Sequence, residues 1–204
     1  MRLILPLLLA SAAAHSLAQD VQRPARAGDV HVYAVEQKPD RLRYEEVITV
    51  TGIEGERLRT RHARSDRPAA QEGWYGTDWS TFQSGNSGIK MEPAAPTVRH
   101  PLATGKAWEA SVEAVSTTGA RSRVKMSSTV AAREKVSTAA GEFDAFRIDT
   151  TGYISGLSWQ GGWGYQQKVW YAPSIDRVVR SEYREQRTLG TETVFELKQF
   201  QPAN

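Results

Sequence analysis

The sequence predicts an all-β protein: a curved antiparallel sheet forming a half-barrel, a barrel or a sandwich, with at most one short helix. Two observations support this prediction. From about residue 29 onward, apolar and polar residues alternate with the period of two that marks a strand with one buried face. In addition, no segment sustains the i, i+3, i+4, i+7 spacing of an amphipathic helix. The runs between turn residues predict roughly eight to ten strands.

The chain begins with the three parts of a cleavable secretory signal. Arg2 supplies the positive charge, residues 3–10 form a short apolar core, and Ser16 and Ala18 place small side chains where signal peptidase reads them. We therefore predict a signal peptide over residues 1–18, a polar leader over residues 19–28 and a single β-rich domain over residues 29–204. The expected location is periplasmic or secreted.

Composition restricts the classes of protein further. The chain has no cysteine, so we expect neither disulfides nor the lipid anchor that requires an N-terminal cysteine. No later apolar stretch reaches the length of about 20 residues that spans a bilayer, so the mature protein is expected to be soluble and to lack a transmembrane segment. The net charge of +3 is spread in alternating sign, which argues against a nucleic-acid partner.

The first predicted strands lie in residues 29–35 and 43–52. The second of these places Tyr44, Ile48 and Val50 on one face. A hairpin turn over residues 53–56 leads to an arginine-rich strand, whose Arg57, Arg59 and Arg61 share one side. A solvated strand face explains these arginines, with an anion or headgroup site as the alternative.

Residues 65–102 are the least regular part of the chain. They contain four prolines, a glycine-rich turn over residues 84–88 and several large aromatic side chains. We expect one or two short strands here, with the aromatic side chains buried, because these rings carry large apolar areas.

Regular alternation resumes at residue 108. On the predicted strand over residues 108–115, Trp108, Ala110, Val112 and Ala114 share one face, and two glutamates share the other. Residues 121–130 follow as its hairpin partner, with basic side chains opposite those glutamates. Further strands are predicted over residues 143–154, 165–171, 177–187 and 192–200.

No catalytic constellation emerges from the sequence. His31, His62 and His100 lack metal-ligand spacing, so we expect them on strand surfaces and predict no metal site. Ser87 lies in a glycine-flanked turn without the spacing of a nucleophile elbow. Carboxylates for a glycosidase pair would come from Glu109, Glu113, Glu142, Asp144 and Asp149. No nucleotide-binding motif is present, so no cofactor is expected.

The most unusual local composition lies between residues 156 and 165, where four glycines accompany Trp159, Trp163 and Tyr165. These three side chains are the candidate ligand-binding residues, because exposed tryptophans can stack on sugars or cover an apolar groove. The alternative is that the tryptophans fold back and close the mouth of a barrel, since tryptophan rarely stays exposed without a partner.

Three segments carry a family resemblance. They are residues 101–108 (PLATGKAW), residues 136–148 (VSTAAGEFDAFRI) and residues 169–180, which contain VWYAP followed by RVVR. These segments resemble an uncharacterised group of exported bacterial β-proteins similar to the TapB-like families of unknown function. The resemblance implies a β-rich fold in the cell envelope and no catalytic residues. Physically, Gly105 and Gly141 suit turns, and four aromatic residues are predicted to face the core: Trp108, Phe143, Phe146 and Trp170.

The resulting functional prediction is a non-enzymatic exported protein that binds an apolar or envelope-derived ligand, such as a lipid or glycan, or an envelope protein. A carbohydrate-binding module that uses Trp159 and Trp163 is the first alternative. An envelope hydrolase with carboxylates assembled from distant strands is the second.

Overall fold

The described part of the chain consists almost entirely of β-strands, whose side chains point alternately inward and outward. The computed structural model describes residues 23–203, so the predicted signal peptide and the start of the leader lie outside the described residues. The strands are β1 (Val30–Lys38), β2 (Leu42–Glu54), β3 (Arg57–Arg64), β4 (Gln71–Gly76), β5 (Thr81–Gln83), β6 (Lys90–Ala95), β7 (Ala107–Val115), β8 (Arg121–Thr138), β9 (Gly141–Gly156), β10 (Gly162–Ala172), β11 (Arg177–Gln186) and β12 (Glu192–Gln201).

These strands form one closed antiparallel barrel. Each strand pairs with the next along the chain, and β12 pairs with β1 to close the sheet. Between β6 and β7, only Glu113–Val115 of β7 are paired. Because consecutive strands run in opposite directions, the connections alternate between two ends. The β4–β5, β6–β7 and β10–β11 connections share one end, here called the Trp79 end, and the β5–β6 and β9–β10 connections share the Trp159 end.

The predicted faces of β7 and β8 are confirmed. Trp108, Val112 and Ala114 are buried, whereas Glu113 lies on the outer face. Arg121 reaches across to Glu113 at 2.7 Å, and this hydrogen bond lowers the pKa of Glu113. The alternation read from the sequence therefore assigned the core and solvent sides of this hairpin correctly.

The barrel option among the predicted folds is the observed one, but the number of strands was underestimated. Twelve strands are present instead of eight to ten. Residues 65–102 hold three short strands, because β4, β5 and β6 pair over only a few residues and give weak alternation. The only helical element among residues 23–203 is a 3-10 turn at Pro173–Ile175.

One predicted placement is wrong. His31 and His62 are not on the strand surface: they are 1% and 4% exposed and lie on the inward faces of β1 and β3. Trp170 is partly buried, packs against the apolar cluster that includes Ala172 and Val179, and donates its indole N–H to Glu134 at 2.6 Å. His100, by contrast, is exposed as expected.

Candidate ligand-binding site in the barrel interior

Three connections at the Trp79 end bring chemically active side chains into the barrel. The β4–β5 connection contributes Trp79, the β6–β7 connection contributes Thr97, and the first residue of β11, directly after the β10–β11 connection, is Arg177. Trp79 adopts a left-handed backbone conformation, with φ of 60°, and is 5% exposed. A bulky residue in that region is strained. Such strain persists only where the surrounding structure enforces it, and it is frequent at ligand sites.

Arg177 is the central charged group of this interior. Its side chain lies among buried residues, and the residue is only 9% exposed. The guanidinium carbon lies 3.6 Å from the centroid of the Trp79 ring, a cation–π contact. The Nε–H donates to the hydroxyl of Tyr33 at 3.1 Å, and that hydroxyl donates to the carbonyl of Val178 at 2.9 Å. These contacts fix both the position and the plane of the guanidinium.

A cavity of about 200 Å³ lies beside Arg177. Its wall comes from strands on opposite sides of the barrel, and aromatic side chains dominate it. The lining residues are Tyr33, Tyr75, Trp79, Thr81, Thr97, Gln167, Val169, Tyr171, Arg177, Val178, Ser181 and Phe195. Packed apolar clusters fill other parts of the interior. The described interior therefore offers a small polar–aromatic chamber in place of the open apolar face that a lipid carrier needs.

Burial and nearby charges keep His31 and Tyr33 neutral at the chamber, and hydrogen bonds keep Asp29 ionised and paired. Burial, followed by the charge of Arg177, lowers the pKa of His31 to about 3. Burial opposes ionisation of Asp29, but hydrogen bonds from Arg23 and from backbone N–H groups lower its pKa to about 2. Burial also raises the pKa of Tyr33. At neutral pH, Arg177 is thus a charged group beside a neutral imidazole and a neutral phenol.

A second polar group crosses the interior from β2 to β3. The Nδ1 of His62 lies 2.6 Å from Glu46 Oε1, with both side chains almost fully buried. The other ring nitrogen, Nε2, lies 3.0 Å from the Thr60 hydroxyl. Hydroxyl, imidazole and carboxylate therefore follow the order of a nucleophilic triad.

Burial shows that this row does not act as a triad in the observed state. Thr60 is 0% exposed, so no substrate reaches its hydroxyl, which also lies 3.1 Å from the carbonyl of Gly73. The row is a structural hydrogen-bonded cross-link between β2 and β3.

The glycine-rich loop over residues 84–88 folds over this cross-link. Asn86 donates to Glu46 Oε2 at 3.3 Å and accepts from Arg64 at 2.6 Å. Gly85 packs so closely that a Cβ there would lie 2.0 Å from His62 Cδ2. Ser87, the glycine-flanked serine noted in the sequence, accepts a hydrogen bond from the backbone of Ile89 and belongs to this turn.

The sequence-predicted ligand residues lie together at the Trp159 end. The rings of Trp159 and Trp163 stack with centroids 5.4 Å apart, and both are partly exposed. The indole of Trp159 donates to Ser122 at 3.2 Å, and the guanidinium of Arg187 lies 4.3 Å from the Trp163 ring. Tyr165 is buried within the barrel, and burial raises its pKa to about 12. The structure thus brings the two tryptophans together, with Tyr165 deeper on the same strand.

Three of the carboxylates considered for hydrolysis are held in ion pairs on the partly exposed surface. Glu142 pairs with Lys135, Asp144 with Arg133 and Asp149 with Arg147. Among residues 23–203, no group of three or more His, Asp or Glu side chains is arranged to hold a metal ion.

The central residues of the interior site were missed by sequence reasoning. Glu46 could have been found, because it alternates with Tyr44 and Ile48 on a face predicted to be buried. Arg177 follows directly after the WYAP segment, and Trp79 lies in the irregular segment whose aromatics were expected to need burial. Arg177 and Trp79 are brought together only when the barrel closes, and a local sequence pattern does not predict that contact.

Solved structures with the same fold come from exported bacterial proteins. One is described as a lipoprotein from Parabacteroides distasonis: TM-score 0.59, 13% identity, covering 90% of this chain and 100% of that chain. Another is described as an exported protein with a YmcC-like fold from Bacteroides fragilis: TM-score 0.59, 13% identity, covering 89% and 99% of the two chains. The chain therefore shares its fold with these two proteins.

Comparison of the sequence with known families does not assign the chain to a particular family. No protein-family model and no curated protein matches the chain. The TapB-like resemblance thus stays a prediction. In residues 23–203, no helix has the length and apolarity needed to cross a membrane.

Proposed function

We propose that this protein is an exported, non-enzymatic binding protein that holds one small molecule in the Arg177 chamber. The observation that carries the proposal is a cavity of about 200 Å³ walled by aromatic rings and one fixed guanidinium inside a closed barrel. The N-terminal signal pattern supports export, and so does the fold shared with proteins described as exported or as lipoproteins.

The size of the chamber restricts the ligand. Sites for drug-sized ligands commonly span roughly 300–1,000 Å³, and an apolar cavity of about 150 Å³ is known to accept benzene. A chamber of about 200 Å³ therefore fits a single ring with one substituent. Stacking against Tyr33, Phe195 and Trp79 would supply the apolar contact area.

Binding of neutral aromatic probes tests this proposal. Benzamide and benzyl alcohol should give saturation-transfer NMR signals with the wild-type protein, and these signals should disappear in Ser181→Leu, which extends a side chain into the chamber. The matched control is Ser127→Leu, a serine on the exposed face of β8, which should leave the signals unchanged. Absence of binding to the wild type, or equal binding to both variants, would contradict the proposal.

A carbohydrate-binding surface at Trp159 and Trp163 is the second candidate. The stacked, partly exposed rings favour it, because an indole face can pack on a sugar ring. If this surface binds glycans, Trp159→Ala and Trp163→Ala should abolish retention on insoluble polysaccharide without unfolding the barrel. Retention equal to that of the wild type would refute it.

A further inference from the structure

We infer that the ligand of the Arg177 chamber carries a single carboxylate, which binds to the two Nη nitrogens of Arg177. This inference rests on the proposed function and names the chemical class of the ligand. It follows from the donors that Arg177 leaves unused, from the fixed orientation of its guanidinium, and from the charges around it.

The unused donors of Arg177 define the site. Arginine has five N–H groups. The Nε–H is committed to Tyr33, and within residues 23–203 the four N–H groups of the Nη nitrogens meet no protein acceptor. These nitrogens form the outer edge of a planar fork whose geometry matches the two oxygens of a carboxylate.

The guanidinium is also preorganised. Tyr33 cannot turn away easily, because its own hydroxyl hydrogen is given to the carbonyl of Val178 at 2.9 Å. Trp79 covers the guanidinium at 3.6 Å and is itself held by a tight turn, in which its backbone N–H donates to Gly76 at 2.9 Å. A cation held in this way loses little side-chain entropy when an anion arrives, and preorganisation of this kind favours affinity.

The nearby carboxylates have other partners. Asp29 forms a salt bridge with Arg23 at 2.8 Å, and Glu46 forms one with His62 at 2.6 Å. Asp176 accepts from the Tyr171 hydroxyl at 2.6 Å. A buried cation is costly without a counter-charge. Because none of these carboxylates bonds to the Nη nitrogens of Arg177, the outer edge of the guanidinium is open to an anionic ligand.

The chamber fits a monoanion better than a dianion. Arg177 is the only cationic side chain among the lining residues of the described chain. A phosphate monoester carries nearly two charges at neutral pH, and its second charge would be desolvated without a partner. A carboxylate on a small ring matches both the single guanidinium and the aromatic walls.

Calorimetric titration of benzoate, benzamide and inorganic phosphate tests the inference. Benzoate and benzamide have nearly the same shape and differ in charge. We expect benzoate to bind the wild type about tenfold or more tightly than benzamide, because charge-assisted hydrogen bonds are the stronger ones. In Arg177→Gln this preference should be lost while benzamide binding is retained. Arg177→Lys should recover only part of it, because lysine lacks the fork.

Arg180→Gln is the matched control. Arg180 is three residues away on β11, and its guanidinium pairs with Glu182 and Glu196 at 2.8 and 3.2 Å. This variant should keep the preference for benzoate. Should Arg177→Gln fail to fold, the Arg177 guanidinium resonances of the wild type replace it: benzoate should shift them and benzamide should not.

The outcomes separate the two proposals. Benzamide binding without any preference for benzoate would overturn the carboxylate inference and leave the proposed function standing. Binding of neither compound would overturn both. Phosphate binding more tightly than benzoate would overturn the assignment of a carboxylate.

Discussion

The guanidinium carbon of Arg177 lies 3.6 Å from the centroid of the Trp79 ring, although 98 positions separate the two residues in the chain. Trp79 reaches this position from the β4–β5 connection and Arg177 from the start of β11. The contact therefore spans the barrel at the Trp79 end. It joins a strained aromatic residue to a buried cation beside the one chamber that we propose as the ligand site.

Arg177→Met should stabilise the ligand-free protein by about 1–2 kcal/mol, because it removes a buried charge that lacks an ion-pair partner. Tyr33 loses only the hydrogen bond that it accepts, since its hydroxyl hydrogen remains bonded to Val178. Urea unfolding measures the change. In the control Arg180→Met, a half-exposed ion pair is lost and stability should fall by at most about 1 kcal/mol. A large loss of stability in Arg177→Met would show that the cation is a structural element.

Acid should destabilise the barrel in two stages. His31 binds a proton in the unfolded chain below its ordinary pKa of 6.5 but in the folded protein only below about 3. Between these values the unfolded state holds more protons, so the free energy of unfolding falls as pH falls, by up to about 1.4 kcal/mol per pH unit. Asp29, with its pKa lowered to about 2 from 3.8, loses its stabilising contribution as pH falls through this lower range.

The His31 contribution can be isolated by substitution. Urea unfolding across pH 3 to 6.5 should give a flatter pH dependence for His31→Gln than for the wild type, whatever the absolute stability of the variant. His100→Gln serves as the control, because His100 is exposed. Parallel curves for His31→Gln and the wild type would argue that His31 is not the group responsible.

Breaking the buried Glu46–His62 pair should be more damaging than breaking an exposed pair. Glu46→Gln or His62→Ala should cost about 3–5 kcal/mol, because the remaining buried partner loses its compensation. The double variant Glu46→Met with His62→Leu should cost less than the sum of the single changes. Lys135→Ala, which breaks an exposed pair with Glu142, should change the free energy of unfolding far less than either buried substitution. Additive costs for the buried pair would contradict the observed coupling.

Gly85→Ala tests the loop packing. The new Cβ would lie 2.0 Å from His62 Cδ2, so the loop over residues 84–88 must shift. We expect a loss of about 1–3 kcal/mol in thermal or urea unfolding. The control is Gly52→Ala, where the nearest atom is the flexible Arg59 Nη2 at 3.5 Å. Equal stability of the two variants would mean that the loop does not rest on His62.

Local alternation predicted most of the strands because it directly reports which face of a strand is buried. The face of β7 that carries Trp108, Val112 and Ala114 is the clearest case, since every second residue is apolar and these three are buried. Short strands escaped this approach: β5 has three residues, and its pairing shifts register on both sides. A segment of that length carries too few positions to show a period.

The interior site could not be assembled from local patterns. His31 and His62 were expected at the surface because they lie far apart in sequence and lack metal-ligand spacing. Their burial depends on partners elsewhere in the barrel, such as Glu46 on β2. The Trp159 and Trp163 pair was found from composition alone, because both residues lie on one hairpin. A cluster of residues that are close in sequence can therefore be predicted from the sequence. A cluster of residues from strands across the barrel can be recognised only once the closed barrel is known.

Native mass spectrometry of the protein, purified without denaturation from its own cells, is the sharpest test of ligand binding in the Arg177 chamber. We expect a second mass peak for the wild type, displaced by one small molecule that bears a carboxylate. The same peak should be absent from Ser181→Leu, whose chamber is filled, and present in Ser127→Leu. A wild-type protein that carries no small molecule, or a molecule retained equally by Ser181→Leu, would contradict ligand binding in the Arg177 chamber.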